Sequence, residues 1–348
     1  MPQPRTSIAD LARALHLSPS TVSRALSGHA QISPSTRQRV RQLAAELAYH
    51  PHPVAAALRR GRTTTLGVLV PQLNGSFFPD IIDSITDAAS QAGYHVLLCQ
   101  SHEDEQQEKQ QVAQLLQAQV AGLLVSVASS TQEFSHFEAL RAAQVPVVFF
   151  DRAPAAMAGP GVSSIIVDDY AGAYAAVAHL AAQGRQRIAH LAGPLHLGIY
   201  QQRYQGYREA LYAHGLLYED KLLCVGNLQQ SDGAAGMTQL LQLDAPPDAL
   251  FAAGDSAAVG AMQVAKEHGL RVPHDLALVG FSNAEFSGLT EPSLTTVDQC
   301  SHLMGQAAVQ QLLQLLEAGS GSPPLSPVVL APELLVRGSS RIANPVAA

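Results

Sequence analysis

The chain has 348 residues and 47% hydrophobic content, ample for more than one sizeable core, with a net charge of −7. That charge is divided, because residues 1–62 hold nine Arg, no Lys and two acids while the remainder holds 12 basic and 26 acidic residues. A basic head on an acidic body suits a small module that meets a polyanion while the rest does something else, and the lack of any apolar run near ~18 residues argues against a membrane-spanning protein.

In the head, Ser7-Ile8-Ala9-Asp10 has the form of a capping box, and Ile8, Leu11, Ala12 and Leu15 recur at the spacing of one helical face. Ser18 followed by Pro19 is a second N-cap with Pro in the first helical position. It opens a helix through Thr21, Val22, Ser23, Arg24 and Leu26 that Gly28 ends. About three residues part the two helices, with Leu17 placed to wedge into the corner, the helix-turn-helix layout whose second helix enters the DNA major groove. Ser33-Pro34 caps a third helix, and its Val40, Leu43, Ala44 and Leu47 close a small core. The residues of helix two that this core leaves free are Pro19, Ser20, Thr21, Ser23 and Arg24. Arg24 can pair bidentately with guanine O6 and N7, whereas Ser20 can exchange one bond with several bases, so Arg24 should discriminate more strongly. Plain solvation is the alternative for such a face.

Pro51 and Pro53 break helix three, and Val54 to Ala57 lead to Leu58 beside Arg59, Arg60 and Arg62. This segment is too short for a stable helix in water. Folding on DNA, it could push Leu58 into a minor-groove base step while Arg59 and Arg62 meet phosphates; the alternative is an ordinary linker. Ser7, Ser18, Val54, Leu58 and Arg59 join the helix-two residues as the expected DNA-binding set.

From Thr65 onward, short apolar runs alternate with amphipathic stretches. Strands are expected at 66–70, 96–100, 122–127, 147–151, 165–167, 188–192, 223–226, 249–253 and 276–281, and helices at 81–91, 170–182, 203–213 and 257–268. This βα rhythm predicts parallel sheets covered by helices on both sides. It restarts after the Pro-, Gly- and Ala-rich loop 153–161, so two sheets are expected, with a ligand cleft between the carboxyl ends of their strands. Polar residues at those ends are Ser101, Ser126, Asp151, Asp168, Asp255, Ser282 and Asn283. Capping the following helix is the plain alternative for each.

The runs TSIADLARALHLSPSTVSRALSG and ISPSTRQRVRQLAAELAYHPHPVAAALRRGRTTTLGVLVP resemble the head of the LacI/GalR family of bacterial transcription repressors. VPVVFFDRAP, RYQGYREAL, LFAAGDSAAVGAMQVAKEHGLRVPHDLALVGFSN and PSLTTVDQ are similar, in order, to its effector-binding core, itself like periplasmic sugar-binding proteins. The resemblance implies base reading by Pro19, Ser20 and Arg24, insertion of Leu58, and a cleft lined by Phe77, Phe78, Asp151, Arg203, Asp255, Ser282 and Gln299. Ser126 and Asn283, at strand ends, complete the expected effector-binding set. Two departures stand out: Gly254 precedes Asp255 where the family commonly has Asn, and Ser282 follows Gly-Phe where it commonly has Asp. A lost carboxylate beside Arg203 would make an anionic effector easier to hold.

The expected architecture is therefore an all-α helix-turn-helix head (1–50), a hinge helix or linker (51–63) and a periplasmic-binding-protein-like α/β core of two doubly wound parallel-sheet subdomains. The first subdomain takes 64–164 plus 294–325, the second 165–293 plus 326–342, and 343–348 is a tail. The expected function is that of a cytoplasmic, DNA-binding regulator, a repressor of a catabolic operon. It would bind a palindromic operator as a homodimer and respond to a sugar, sugar acid or sugar phosphate, without cofactor, metal or membrane. A regulator answering mainly to a protein partner, with a vestigial pocket, is the alternative. An enzyme is not expected, since GxSxG, P-loop, HExxH and GxGxxG motifs are missing. Cys99, Cys224 and Cys300 show no CxxC spacing and read as reduced thiols. No C-terminal leucine heptad favours a tetramer.

Overall fold

Ser7 accepts from the backbone N of Asp10 and the Asp10 carboxylate accepts from the Ser7 N, and this reciprocal cap starts α1 (Ile8–Leu15). Helix α2 (Pro19–Leu26) begins where Ser18 Oγ accepts from Thr21 N at 3.1 Å, and α3 (Pro34–Glu46) where Ser33 caps Thr36 N. Leu11, Ala12, Val22, Ala25, Val40 and Ala44 bury their side chains together, and Leu17 packs against them from the turn. The computed structural model describes residues 7–26, 29–47, 49, 63–319 and 324–341. The expected hinge residues Val54, Leu58 and Arg59 lie outside the described residues. Contacts divide the chain into two units, Met1–Thr63 and Thr64–Ala348.

The larger unit holds two six-stranded sheets. In the first, β1 (Thr65–Val70), β2 (His95–Gln100), β3 (Gly122–Val125), β4 (Val147–Phe150), β5 (Val162–Val167) and β11 (Val328–Leu330) run in the order β11-β5-β4-β3-β1-β2, every pair parallel. The second comprises β6 (Ile188–Ala192), β7 (Leu223–Val225), β8 (Ala249–Ala252), β9 (Ala277–Phe281), β10 (Thr295–Asp298) and β12 (Glu333–Leu335). Its order is β12-β10-β9-β8-β6-β7, with β12 alone antiparallel. Crossover helices are α4 (Phe77–Gln91), α5 (Glu105–Gln117), α6 (Ser135–Ala142), α7 (Asp169–Ala182), α8 (Gly198–Ala213), α9 (Gln230–Leu241), α10 (Asp255–Glu267) and α11 (Ser301–Ala318).

Alternation along each strand explains the continuous apolar runs. In β1, Leu66, Val68 and Val70 pack with Ile81 and Ile85 of α4 and Leu312 of α11, while Leu69 faces Val112 and Leu115 of α5. In β8, Leu250 and Ala252 join one core, and Ala249 and Phe251 join the other. Successive side chains point to opposite faces, and both faces are covered by helices, so no polar face remains.

Three strand assignments differ from the sequence reading. Residues 165–167, expected in the second subdomain, belong to β5, which pairs with β4 through Val147↔Val162 to Phe150↔Ile165 and extends the first sheet. The loop 153–161 is therefore a short crossover within that sheet and not a boundary. Strand β10, expected with the first subdomain, pairs with β9, and β11, expected with the second, pairs with β5. The chain consequently passes between sheets after Val167, after Asp298 and after Leu330. Those passages touch one another: Asp168 N donates to Leu330 O at 3.0 Å, and Cys300 Sγ lies 3.6 Å from Ala331 O.

Candidate DNA-reading helix and ligand cleft

In the head, Pro19, Ser20 and Arg24 are exposed on α2, and Thr21 and Ser23 are half-buried. Ser7 and Ser18 are exposed at their helix starts. Ser18 Oγ stands 2.8 Å from both the Ser20 and Thr21 hydroxyls, so the Ser20 hydroxyl is held toward the helix N-terminus. The head thus offers a long guanidinium and short hydroxyls on one helix, a donor-rich set suited to base edges and phosphates.

In the larger unit, a cavity of about 310 Å³ opens between the two sheets at the carboxyl ends of their strands. Seven of the residues expected there line it: Phe77, Phe78, Asp151, Arg203, Asp255, Ser282 and Gln299. Arg203, on α8, is 3% exposed. Its Nε donates to Asp169 Oδ1 at 2.7 Å, Nη1 to Ala253 O at 2.8 Å and Nη2 to Gln299 Oε1 at 2.9 Å, and its guanidinium carbon sits 3.7 Å from the centre of the Phe281 ring. Gln299 Nε2 continues the chain by donating to Ser282 Oγ at 2.9 Å. Ser282 has φ 131° and Asn283 φ 50°, a strained pair that turns the backbone after β9 toward the cavity.

Two carboxyls sit at the cavity wall with contrasting support. Asp255 Oδ1 accepts from Thr296 Oγ1 at 2.6 Å and Oδ2 from Ala284 N at 2.8 Å; burial nevertheless pushes its carboxyl up to about 6, with those bonds opposing the rise. Among the described residues Asp151, at φ 57°, takes one long side-chain bond, from Ser126 Oγ at 3.5 Å, and Arg152 Nε lies 3.9 Å from its Oδ2. Burial raises it to about 6 as well, against the pull of Arg152 and Arg203. Burial alone would raise Glu103 too, but Arg152 Nη1, at 2.9 and 2.7 Å, and Ser129 N hold that carboxyl below its usual value.

Ser126 and Asn283 do not line the cavity. Ser126 is fully buried behind Asp151, and Asn283 spends its amide on Asp298 Oδ2 at 3.0 Å and Arg337 Nη2 at 2.7 Å. Phe78 is mainly core, 4% exposed among Leu66, Ile81 and Phe150, while Phe77 is half-buried at the cavity edge. Sequence reasoning missed Glu103, Arg152 and Tyr200, all of which line the cavity. Tyr200 lies one turn before Arg203 on α8, with its ring centre 5.4 Å from the guanidinium carbon, and Arg152 directly follows Asp151. Helical spacing from Arg203 could have identified Tyr200. Nothing local marks Glu103, which reaches Arg152 from a separate loop.

The subdomains also touch at the cleft's rim. His196 Nε2 donates to Ser129 O at 2.8 Å, and Glu285 N donates to Ser76 Oγ at 3.3 Å.

Residues 63–327 match the model of periplasmic binding proteins and the sugar binding domain of the LacI family, and residues 7–52 match that of bacterial regulatory proteins of the lacI family. The chain belongs to the LacI family. Among its LacI-family relatives, the HTH-type transcriptional repressor CytR of Escherichia coli K12 is 33% identical over 335 residues, covering 95% of each chain. Catabolite control protein A of Priestia megaterium is 32% identical over 310 residues, 89% of this chain and 92% of that protein. The lac repressor dimer bound to operator and the anti-inducer ONPF superposes with a TM-score of 0.83 at 30% identity, covering 96% of this chain and 99% of that one. The fold is thus a LacI-type helix-turn-helix head followed by two parallel-sheet α/β subdomains. Its relatives are DNA-binding transcriptional regulators, and no helix among the described residues is long and apolar enough to cross a membrane.

Proposed function

We propose that this LacI-family regulator binds a near-palindromic operator of a catabolic operon as a homodimer, in the cytoplasm, and changes its grip when a small, neutral, hydroxyl-bearing metabolite enters the cleft. The observation that carries this reading is the cavity lined from both subdomains, with Arg203, Gln299 and Ser282 joined in one hydrogen-bonded wall. At about 310 Å³ the cavity is at the small end of ligand pockets, which suits a carbohydrate-sized molecule.

The wiring of Arg203 favours a neutral ligand over the anion suggested by the missing acid at position 282. Three of the five N–H groups of Arg203 already donate, to Asp169, Ala253 O and Gln299, and the buried Asp169 carboxylate offsets its charge, so an anion gains less there than from an unpaired guanidinium. Asp151 and the exposed Asn74 instead leave acceptors and donors for hydroxyls. The three passages between the sheets act as the hinge. A ligand that holds the subdomains at one angle favours one spacing of the two heads, and half-sites lie a fixed distance apart on the duplex. The homodimer would use the sheet edges: edge strand β2 exposes Leu97 and Leu98, and edge strand β7 exposes Val225.

The test is a thermal-shift screen of the full chain against neutral sugars, sugar acids and sugar phosphates, followed by operator gel shifts with each hit. A ligand at ~100 times its dissociation constant should add about 2.7 kcal/mol of stability. The expected result is a neutral hit that alters operator binding. Hits confined to the acids and phosphates, or hits without effect on DNA binding, would overturn the reading.

A further inference from the structure

We infer that the ligand core contains a second small-molecule site, adjoining the first, whose occupant is a compact aromatic cation of the amidine or benzylic amine class. A cavity of about 640 Å³ shares Asp151, Arg152 and Ile199 with the cleft cavity but is otherwise walled by different residues. Val127, Phe134 and Pro154 line it from the first subdomain and Leu197 from the second, while Ile166 and Asp169 flank the first passage between sheets. That wall would cover an aromatic ring on several sides.

The polar part of the wall selects the charge of the occupant. Asp151 and Asp169 both line the cavity, and both carboxyls are buried and short of donors. Asp151 has the single 3.5 Å bond from Ser126, and among the described residues Asp169 receives its one side-chain bond, from Arg203, on Oδ1, leaving Oδ2 as an acceptor. The nearby cations are largely committed to other acceptors, and Arg152 Nε comes no closer to Asp151 Oδ2 than 3.9 Å, beyond hydrogen-bond reach. Arg152 gives Nη1 to Glu103 and Val127 O, and Arg203 turns its remaining nitrogens to Ala253 O and Gln299. Burial raises both aspartates against the pull of Arg203 on each and of Arg152 on Asp151, so those cations offset the burial only in part. An amidinium would supply paired N–H donors and a positive charge to that wall, and its ring would meet the apolar side. The second site stands without the DNA-binding and first-cavity reading, though the two cavities share Asp151.

The experiment is isothermal titration of the full chain with benzamidine, with benzamide as the neutral isostere. Saturable benzamidine binding is expected, with benzamide about ten-fold weaker or undetectable. Ala156→Trp, which adds an indole from an exposed wall position of the second cavity, should abolish binding. Asn74→Trp, at an exposed position lining the first cavity only, should leave it unchanged. If Ala156→Trp fails to fold, the Asn74→Trp and benzamide comparisons still decide. No saturable binding, equal binding of benzamide, or loss in Asn74→Trp with retention in Ala156→Trp would overturn the proposal; the last pattern would place benzamidine in the first cavity.

Discussion

Arg203 Nε donates to Asp169 Oδ1 at 2.7 Å, and the two side chains are 3% and 6% exposed. The pair ties α8 to the first turn of α7 and holds the guanidinium over Phe281, where it faces Gln299. Removing one member leaves the other charged in a dry site, a far larger loss than any exposed ion pair would give.

Arg203→Ala should therefore destabilise the larger unit by about 3–5 kcal/mol and abolish ligand binding in the cleft. Urea denaturation checks the first effect, and thermal shift with a first-cavity ligand checks the second. A loss under about 1 kcal/mol would mean that Asp169 finds solvent or another donor once the guanidinium is gone.

Arg24→Ala should weaken binding to the best operator by about 1–3 kcal/mol and relax preference at one base pair. Fluorescence anisotropy on single-base operator variants and on random duplex separates the cases. An equal loss on random DNA would make Arg24 a phosphate contact.

His190 is fully buried, stacked 4.9 Å from the Tyr207 ring and 4.8 Å from the Phe251 ring, and donates from Nδ1 to Phe251 O at 3.0 Å. Burial depresses its pKa from 6.5 to about 4, so between those values the unfolded chain binds a proton that the folded chain refuses. Its effect is to lower stability as pH falls from 6.5 toward 4, by up to roughly 3 kcal/mol. Asp151 and Asp255, raised to about 6, act oppositely and lower stability as pH rises from 3.8 through 6. His190→Phe should remove only the first effect. Its stability relative to the parent should improve steadily from pH 7 to pH 4.5 in urea melts, and a constant difference would show that His190 does not resist protonation.

Gly280→Ala should disturb Asp255 selectively. A Cβ at position 280 would collide with Asp255 Oδ1, which now accepts from Thr296 Oγ1. Displacing a buried carboxylate from its donors should cost about 1–3 kcal/mol and reduce cleft affinity. Unchanged calorimetric binding with full stability would mean that the strand shifts to admit the methyl group.

Much of this was legible in residues near one another in the chain. The caps at Ser7, Ser18 and Ser33 depend on bonds spanning three residues, so the head's helices follow from local sequence. Apolar runs reported strands covered on both faces, and the resemblance carried Arg203, Asp151 and Asp255 to one cleft. What the runs could not report was sheet membership. A parallel strand buried on both faces looks the same in either sheet, and β5, β10 and β11 are placed by pairing with partners distant in sequence. The same limit governed the site. Ser126 and Asn283 stand at strand ends as expected, yet the protein's own Asp151, Asp298 and Arg337 claim them, while Glu103 enters through a pairing with Arg152 that spans 49 positions. Sequence alone pointed to the helices of the head, to nine of the strands that follow and to the residues that carry charge to the strand ends. Only tertiary structure decided which of those charges satisfy one another and which face the cavity, because burial and pairing depend on neighbours the chain brings from far away.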